Sequence, residues 1–171
     1  STTLGDDCFL MAGAHLAHNC EVGNGAIIAN NVLLGGHVRV EDRVFIGGGC
    51  VFHQHIRVGR LAICQGLSAF SKDIPPYVIA AERNGVAGLN VVGLRRAGLD
   101  ATARQEIKEA FSLLYRSGHN MSQALAAASE REWSEPVRAF WDFIEGARKK
   151  GVCDFLRSRA GIPGAGEKDP D

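Results

Sequence analysis

Residues 26–52 read AIIANNVLLGGHVRVEDRVFIGGGCVF. Ile28, Leu34, Val40, Ile46 and Phe52 fall every sixth position in that stretch. The period continues outward in both directions through Leu4, Leu10, Leu16 and Val22, then Val58, Cys64 and Phe70. All of these residues are apolar. Two positions before each stands a mostly small side chain: Thr2, Cys8, Ala14, Cys20, Ala26, Val32, Val38, Val44, Cys50, Ile56, Ala62 and Ser68. Glycine often follows the large residue, as in Leu34-Gly35 and Ile46-Gly47. This is the hexapeptide signature of a parallel β-helix. Three hexads make one triangular coil of 18 residues, with the large aliphatic residue inside and the small one beside a corner. Asn24-Gly25, Asn30-Asn31 and Gly35-Gly36 suit corners that need left-handed backbone angles. The expected fold is a left-handed parallel β-helix of about four coils over residues 1–76, followed by a small α-helical domain. In that register Cys8, Cys20 and Cys50 are core residues rather than ligands.

The repeat stops at SKDIPPY, residues 71–77, because proline cannot continue a hydrogen-bonded ladder. Residues 77–99 read as a glycine-rich connecting loop with some extended chain. Helices are expected over 100–159. Asp100 caps the first, about 101–117, which carries an apolar stripe of Ile107, Phe111, Leu114 and Tyr115 and stops at Gly118. A short helix runs from Ser122 to Glu130. Ser134 caps a third, with Pro136 in its first turn and Val137, Phe140, Trp141 and Ile144 as its stripe. The Gly- and Pro-rich composition of residues 160–171 predicts a disordered tail.

The chain has 171 residues and no formal net charge. That length can bury a real core, and the balance gives no reason to expect nucleic acid. No apolar run approaches the roughly 20 residues of a membrane span, and no signal peptide is evident. The five cysteines lack paired spacing, which suits reduced thiols and a cytoplasmic setting. The first residue is Ser, so the chain reads as a processed product or a fragment.

The coil register also places the histidines. Residues 18 apart stack on adjacent coils about 4.8 Å apart. His15, His18, His37, His53 and His55 fall within five adjacent columns of the eighteen, and none takes the large inward position. They are expected to line one outer corner over about three coils. His18, Gly36 and Gln54 share a column, and His37 and His55 share the next. Imidazole is suited to proton transfer near neutral pH. Three imidazoles can also hold zinc. Here no carboxylate lies near enough in sequence to orient them, and the register singles out no three, so neither metal nor cofactor is expected.

The stretches AHLAHNCEVGN, IIANNVLLGGHVRVED, FIGGGCVFHQHIRVG, SKDIPPYVIA, GLNVVGLRRAGL and the helix ending LLYRSG, taken in order, resemble the UDP-N-acetylglucosamine O-acyltransferases of lipid A biosynthesis. The likeness covers the chain to about residue 158. The sister enzymes that N-acylate UDP-acyl-glucosamine share the β-helix and a catalytic histidine, but match the proline break and the GLNVVGLRRAGL stretch less well. The resemblance implies a homotrimer with active sites between adjacent β-helices. It implies transfer of a 3-hydroxyacyl chain from acyl carrier protein to the sugar 3-hydroxyl. His18 then matches the general base, and Gly36 the residue whose N–H stabilises the oxyanion. His15, His37, His53 and Gln54 match residues that bind substrate or support the site. Asn90 and Arg96 match nucleotide contacts, and Gly66 the end of the acyl-chain groove. Two departures stand out. Asn19 follows the base where many members carry Asp, which removes a carboxylate that would orient or charge-stabilise the imidazole. The N-terminal coils of the family are also missing, so the likeness is to the catalytic and C-terminal portion. A non-catalytic trimeric β-helix module and a zinc-dependent β-helix enzyme are the competing readings.

Overall fold

The computed structural model describes residues 1–147 and 150–156. Twelve two-residue strands follow one another at intervals of six: β1 (Thr3–Leu4), β2 (Phe9–Leu10), β3 (His15–Leu16), β4 (Glu21–Val22), β5 (Ile27–Ile28), β6 (Leu33–Leu34), β7 (Arg39–Val40), β8 (Phe45–Ile46), β9 (Val51–Phe52), β10 (Arg57–Val58), β11 (Ile63–Cys64) and β12 (Ala69–Phe70). Every third strand pairs in parallel, so Leu4 faces Val22 and Val22 faces Val40. The result is a triangular left-handed β-helix with three flat faces, β1-β4-β7-β10, β2-β5-β8-β11 and β3-β6-β9-β12. The interior holds the periodic residues. Ile28, Leu34, Ile46, Val58 and Cys64 are buried, with Cys20, Ala26, Cys50 and Ala62 in the tight space beside the corners. Leu4 and Leu10 keep 51% and 38% exposure, because no coil of this chain lies beneath them.

The interval expected as a connecting loop is structured. β13 (Val78–Ala81) adds in parallel to β11, and β14 (Gly85–Leu89) returns antiparallel to it. Val78 and Ala80 are fully buried, so they extend the core although the period of six has ended. The turn between the two strands uses left-handed Glu82 and Asn84. Next comes α1 (Val91–Arg96), capped by the Asn90 side chain.

α2 (Ala101–Tyr115) starts where Asp100 accepts a 2.7 Å hydrogen bond from the Ala103 N–H, and a left-handed Gly118 follows it. α3 (Met121–Ala128) begins one residue before the expected start. Asn120 and Gln123 form a reciprocal capping box there. α4 (Glu135–Gly146) has Ser134 at its N-cap position and Pro136 in its first turn. The Ser134 side chain makes no cap bond; its N–H instead donates to Glu106 at 2.9 Å. β15 (Asp154–Phe155), unforeseen in the sequence, pairs in parallel with β14. The tail over 160–171 lies outside the described residues.

A buried ion pair ties the helices to the last coil. Arg57 Nε meets Asp73, itself 3% exposed, at 2.8 Å. The same guanidinium donates to the Phe143 carbonyl at 2.9 Å and stacks 4.2 Å from its ring. Tyr77 donates from its hydroxyl to the Pro136 carbonyl, and burial pushes its pKa up to about 12.

Candidate active site at the histidine corner

The corner between the β3-β6-β9-β12 and β1-β4-β7-β10 faces comprises residues 17–20, 35–38 and 53–56. Its first column is His18, Gly36 and Gln54, and its second is Asn19, His37 and His55. The second-column residues all have left-handed φ, at 61°, 61° and 64°. The coils are laced together there: the His37 N–H donates to the His18 carbonyl at 3.0 Å, and the His55 N–H to the Gly36 carbonyl at 2.9 Å.

His18 is held from two sides. Its Nδ1 lies 3.0 Å from Asn19 Oδ1. A carboxamide oxygen can only accept, so in the neutral ring this contact would place the hydrogen on Nδ1 and the lone pair on Nε2. Of the two roles expected to go with the carboxylate at position 19, orientation and charge, the first is still available to Asn19. The carboxamide keeps the orienting bond and lacks only the charge. The ring rests on Gly36, where a Cβ would lie 2.7 Å from Cε1 and Nε2. Gly36 has an ordinary negative φ, so its glycine serves this close approach and not a turn.

The Gly36 N–H makes no hydrogen bond among the described residues. The contrast with the β1/β2 corner explains why. There the Asp6 N–H is taken by Asn24 Oδ1 at 2.8 Å and the Asn24 N–H by Asp42 Oδ1 at 2.7 Å, each from 18 residues on. At the histidine corner that place belongs to Gln54, which forms no such bond. The His18 ring thus packs on Gly36, a residue whose backbone N–H is open among the described residues.

The rings of His18 and His37 meet edge-on at 5.1 Å, and His37 and His55 stack in parallel at 4.5 Å. His53 Nδ1 sits 3.3 Å from the Gln54 carbonyl. His15 departs from the expected corner cluster. It lies on β3 itself, exposed, because a strand starts three residues before the corner. The sequence reading also missed Lys150, whose Nζ donates to the Gln54 carbonyl at 2.9 Å across 96 residues. Neighbour desolvation and then the positive charges of His37, Lys150, His18 and His53 push the His55 pKa below its usual value. Among the described residues no three His, Cys, Asp or Glu side chains are grouped to hold a metal ion.

The remaining expected residues are elsewhere. Gly66 lies at the opposite edge of the β3-β6-β9-β12 face, over Gly48, where an added Cβ would meet the Gly48 carbonyl at 3.1 Å. Between the two edges the outward side chains above His15 are apolar, with Leu33 and Val51 47% and 41% exposed. Asn90 is 5% exposed and its amide is fully engaged, accepting from the Gly93 N–H and donating to the Leu61 carbonyl. It fixes α1 to the β10/β11 corner, which leaves Arg95 and Arg96 exposed in the helix's last turn. Within one chain the structure does not bring Arg96 to His18. A cavity of about 790 Å³ between α3 and α4 is lined by Trp133 and Trp141 and holds none of the expected site residues.

Residues 1–36 match the bacterial transferase hexapeptide repeat, and residues 73–153 match domain 2 of the UDP-N-acetylglucosamine O-acyltransferases. An acyl-[acyl-carrier-protein]–UDP-N-acetylglucosamine O-acyltransferase from Paraburkholderia phymatum is 40% identical over 154 residues, 86% of this chain and 59% of that protein. The chain is a relative of the UDP-N-acetylglucosamine O-acyltransferases. A second O-acyltransferase, from Anaeromyxobacter, is 40% identical over 150 residues, covering 86% of this chain and 58% of its own. Solved O-acyltransferase structures agree. That from Francisella novicida superposes with a TM-score of 0.84 at 30% identity, covering 92% of this chain and 58% of its own. That from Moraxella catarrhalis gives 0.83 at 34%, covering 89% and 60%. The chain thus spans about three-fifths of the length of these O-acyltransferases.

Proposed function

We propose that this chain carries the catalytic corner of an O-acyltransferase that moves a 3-hydroxyacyl group from acyl carrier protein to the 3-hydroxyl of UDP-N-acetylglucosamine, the first step of lipid A biosynthesis. The observation that carries it is His18, seated on Gly36 with Nδ1 held by Asn19 and Nε2 free.

A sugar hydroxyl is a poor nucleophile until a base removes its proton. His18 Nε2 takes that proton as the oxygen attacks the thioester carbonyl. The carbonyl oxygen gains negative charge, which the Gly36 N–H stabilises. The tetrahedral adduct then collapses, the C–S bond breaks, and imidazolium returns the proton to the leaving thiolate. His37, His53, Gln54 and His15 line the approach. The acyl chain lies along the apolar face toward Gly66.

The assembly is a homotrimer. Two faces carry large exposed apolar residues, Phe9 (58%) and Phe45 (39%) on one, and Leu33 and Val51 beside His15 on the other. These faces meet at an edge where Leu67 is 88% exposed. The third face is polar, with a Glu21–Arg39 ion pair. Two sticky faces sharing one edge suit a closed threefold ring. In it Arg96 of a neighbouring copy would reach the nucleotide, with Asn90 holding its helix.

The test is acyl transfer from 3-hydroxyacyl carrier protein to UDP-N-acetylglucosamine, with product identified by mass. His18→Ala should lose about 10²–10⁴ in rate while circular dichroism stays unchanged. Near-normal turnover in that variant overturns the mechanism. A chain that folds, trimerises and transfers nothing supports the non-catalytic module instead.

A further inference from the structure

The resemblance gives a role to neither His55 nor Lys150, yet the fold brings both to the histidine corner. His55 is exposed and held at φ 64°, a left-handed conformation that histidine tolerates, and its ring lies parallel to that of His37 within 10°. Lys150 arrives from beyond α4 and is pinned beside it by one bond to the Gln54 carbonyl, which leaves two ammonium donors free. The charged groups acting on His55 are His37, Lys150, His18 and His53, and all are basic. The acid next in its column, Asp73, is buried and engaged by Arg57. Lys72, next in the neighbouring column, is paired with Asp154. The corner therefore concentrates imidazoles and an ammonium with no unengaged carboxylate beside them among the described residues.

We propose that His37, His55 and Lys150 form a phosphate-binding edge of this corner. A phosphate or diphosphate presents several acceptor oxygens over a few ångströms, which suits N–H donors spread over two coils. A lone carboxylate would satisfy only one of the three groups. His55 lies two coils from His18, on the order of 10 Å, so a phosphate seated there leaves the reacting carbon at the base. Under the proposed function two substrate parts supply this chemistry: the diphosphate of the sugar nucleotide and the phosphodiester of the carrier's phosphopantetheine arm. The naming of those sources rests on that function. The site itself does not.

Protonation is linked to binding. A bound phosphate stabilises imidazolium at His55, so the complex holds more protons than the free chain. Affinity should therefore rise as pH falls through the window above the depressed free-state value of His55. His37, His18, His53 and Lys150 oppose that charge in the free chain and share the anion in the complex.

The experiment titrates inorganic pyrophosphate into the intact chain and follows the histidine ring signals by NMR. The signals of His37 and His55 should move together, and the His55 titration should shift upward. Lys150→Ala and His55→Asn should each weaken binding about tenfold, the cost of one charge-assisted contact. Asn is chosen at 55 because it tolerates left-handed φ. Competition by UDP-N-acetylglucosamine, and separately by 4′-phosphopantetheine, tells which substrate part uses the site. Unmoved signals at millimolar pyrophosphate overturn the proposal. So does binding that both variants leave intact, while binding that neither compound displaces would defeat the naming of the two sources and leave the site standing. Pyrophosphate binding in a chain that transfers no acyl group would defeat the proposed function and leave this site standing.

Discussion

Replacing Gly36 by alanine should damage chemistry without damaging the fold. The added Cβ would stand 2.7 Å from Cε1 and Nε2 of His18. Carbon contacts relax at about 3.5–4.0 Å, so the imidazole must retreat by roughly 1 Å. The Nδ1–Asn19 Oδ1 separation is 3.0 Å. A shift of that size carries it beyond the range in which a hydrogen bond persists. The ring then loses its tautomer lock and its position together. A misplacement of about 1 Å costs on the order of 10² in rate. Stability should change by less than about 0.5 kcal/mol, because Gly36 has negative φ and His18 can swing outward into solvent. The assay pairs kcat for acyl transfer with thermal melting and with the ¹⁵N shifts of His18, which report the tautomer even where turnover is low. Wild-type turnover with an unchanged His18 tautomer would refute the seating of the ring on Gly36. Loss of folding would refute it as well, since nothing but the ring should feel the methyl group.

Asn19→Asp keeps the orienting oxygen and adds a charge that stabilises imidazolium; only the neutral ring accepts a proton, so the acid limb of kcat/KM should move to higher pH, and an unmoved profile would show that residue 19 does not touch the base. Gly66→Met should shorten the preferred acyl chain: each buried CH₂ is worth about 0.8 kcal/mol, so the loss of about four shifts preference by roughly two orders of magnitude in competition between carrier-bound chains. An unchanged length profile would place the groove's end elsewhere. Asp73→Ala strips Arg57 of both its Nε and its backbone N–H acceptor and should cost roughly 2–3 kcal/mol in urea denaturation. That is somewhat below the value for a fully buried pair, because Arg57 is 26% exposed; a change under about 0.5 kcal/mol would mean that the pair is not what docks the helices.

The β-helix is legible in the sequence because its cause is local. A large side chain every six residues can be buried only if the chain turns every six residues, and register then comes by counting. The same counting puts His18, Gly36 and His37 where they are found. It fails at His15, because column number says how far around the coil a residue lies but not where the strand ends and the corner begins. Residues 78–89 are illegible for a different reason. Pro75 and Pro76 end the period, and Val78–Ala81 form a strand only because β11 offers them an unpaired edge. β15 likewise exists only because β14 is already in place. Lys150 cannot be found by any spacing rule, since a contact across 96 residues depends on how α4 docks.

Asn19 is within reach of the sequence, provided it is weighed on the right scale. As a charge, Asn in place of Asp is a loss. As a lone-pair donor at a left-handed corner, Asn serves equally well, and the two residues share a tolerance for that backbone. The more general clue lies in the corner ladder. Where Asn24 and Asp42 stand above one another, each satisfies the backbone N–H one coil below. That corner carries no histidine. At the corner that does, glycine and glutamine take the ladder positions, and the Gly36 N–H is left unbonded among the described residues. The ladder is specific to the Asn24–Asp42 corner: at the third corner the Ala12, Asn30 and Gly48 N–H groups are also unbonded among the described residues, so the open donor at Gly36 is distinguished by the imidazole seated against it. It is the pairing of the two features, a ring on one coil and a glycine against it on the next, that sets this corner apart from the other two.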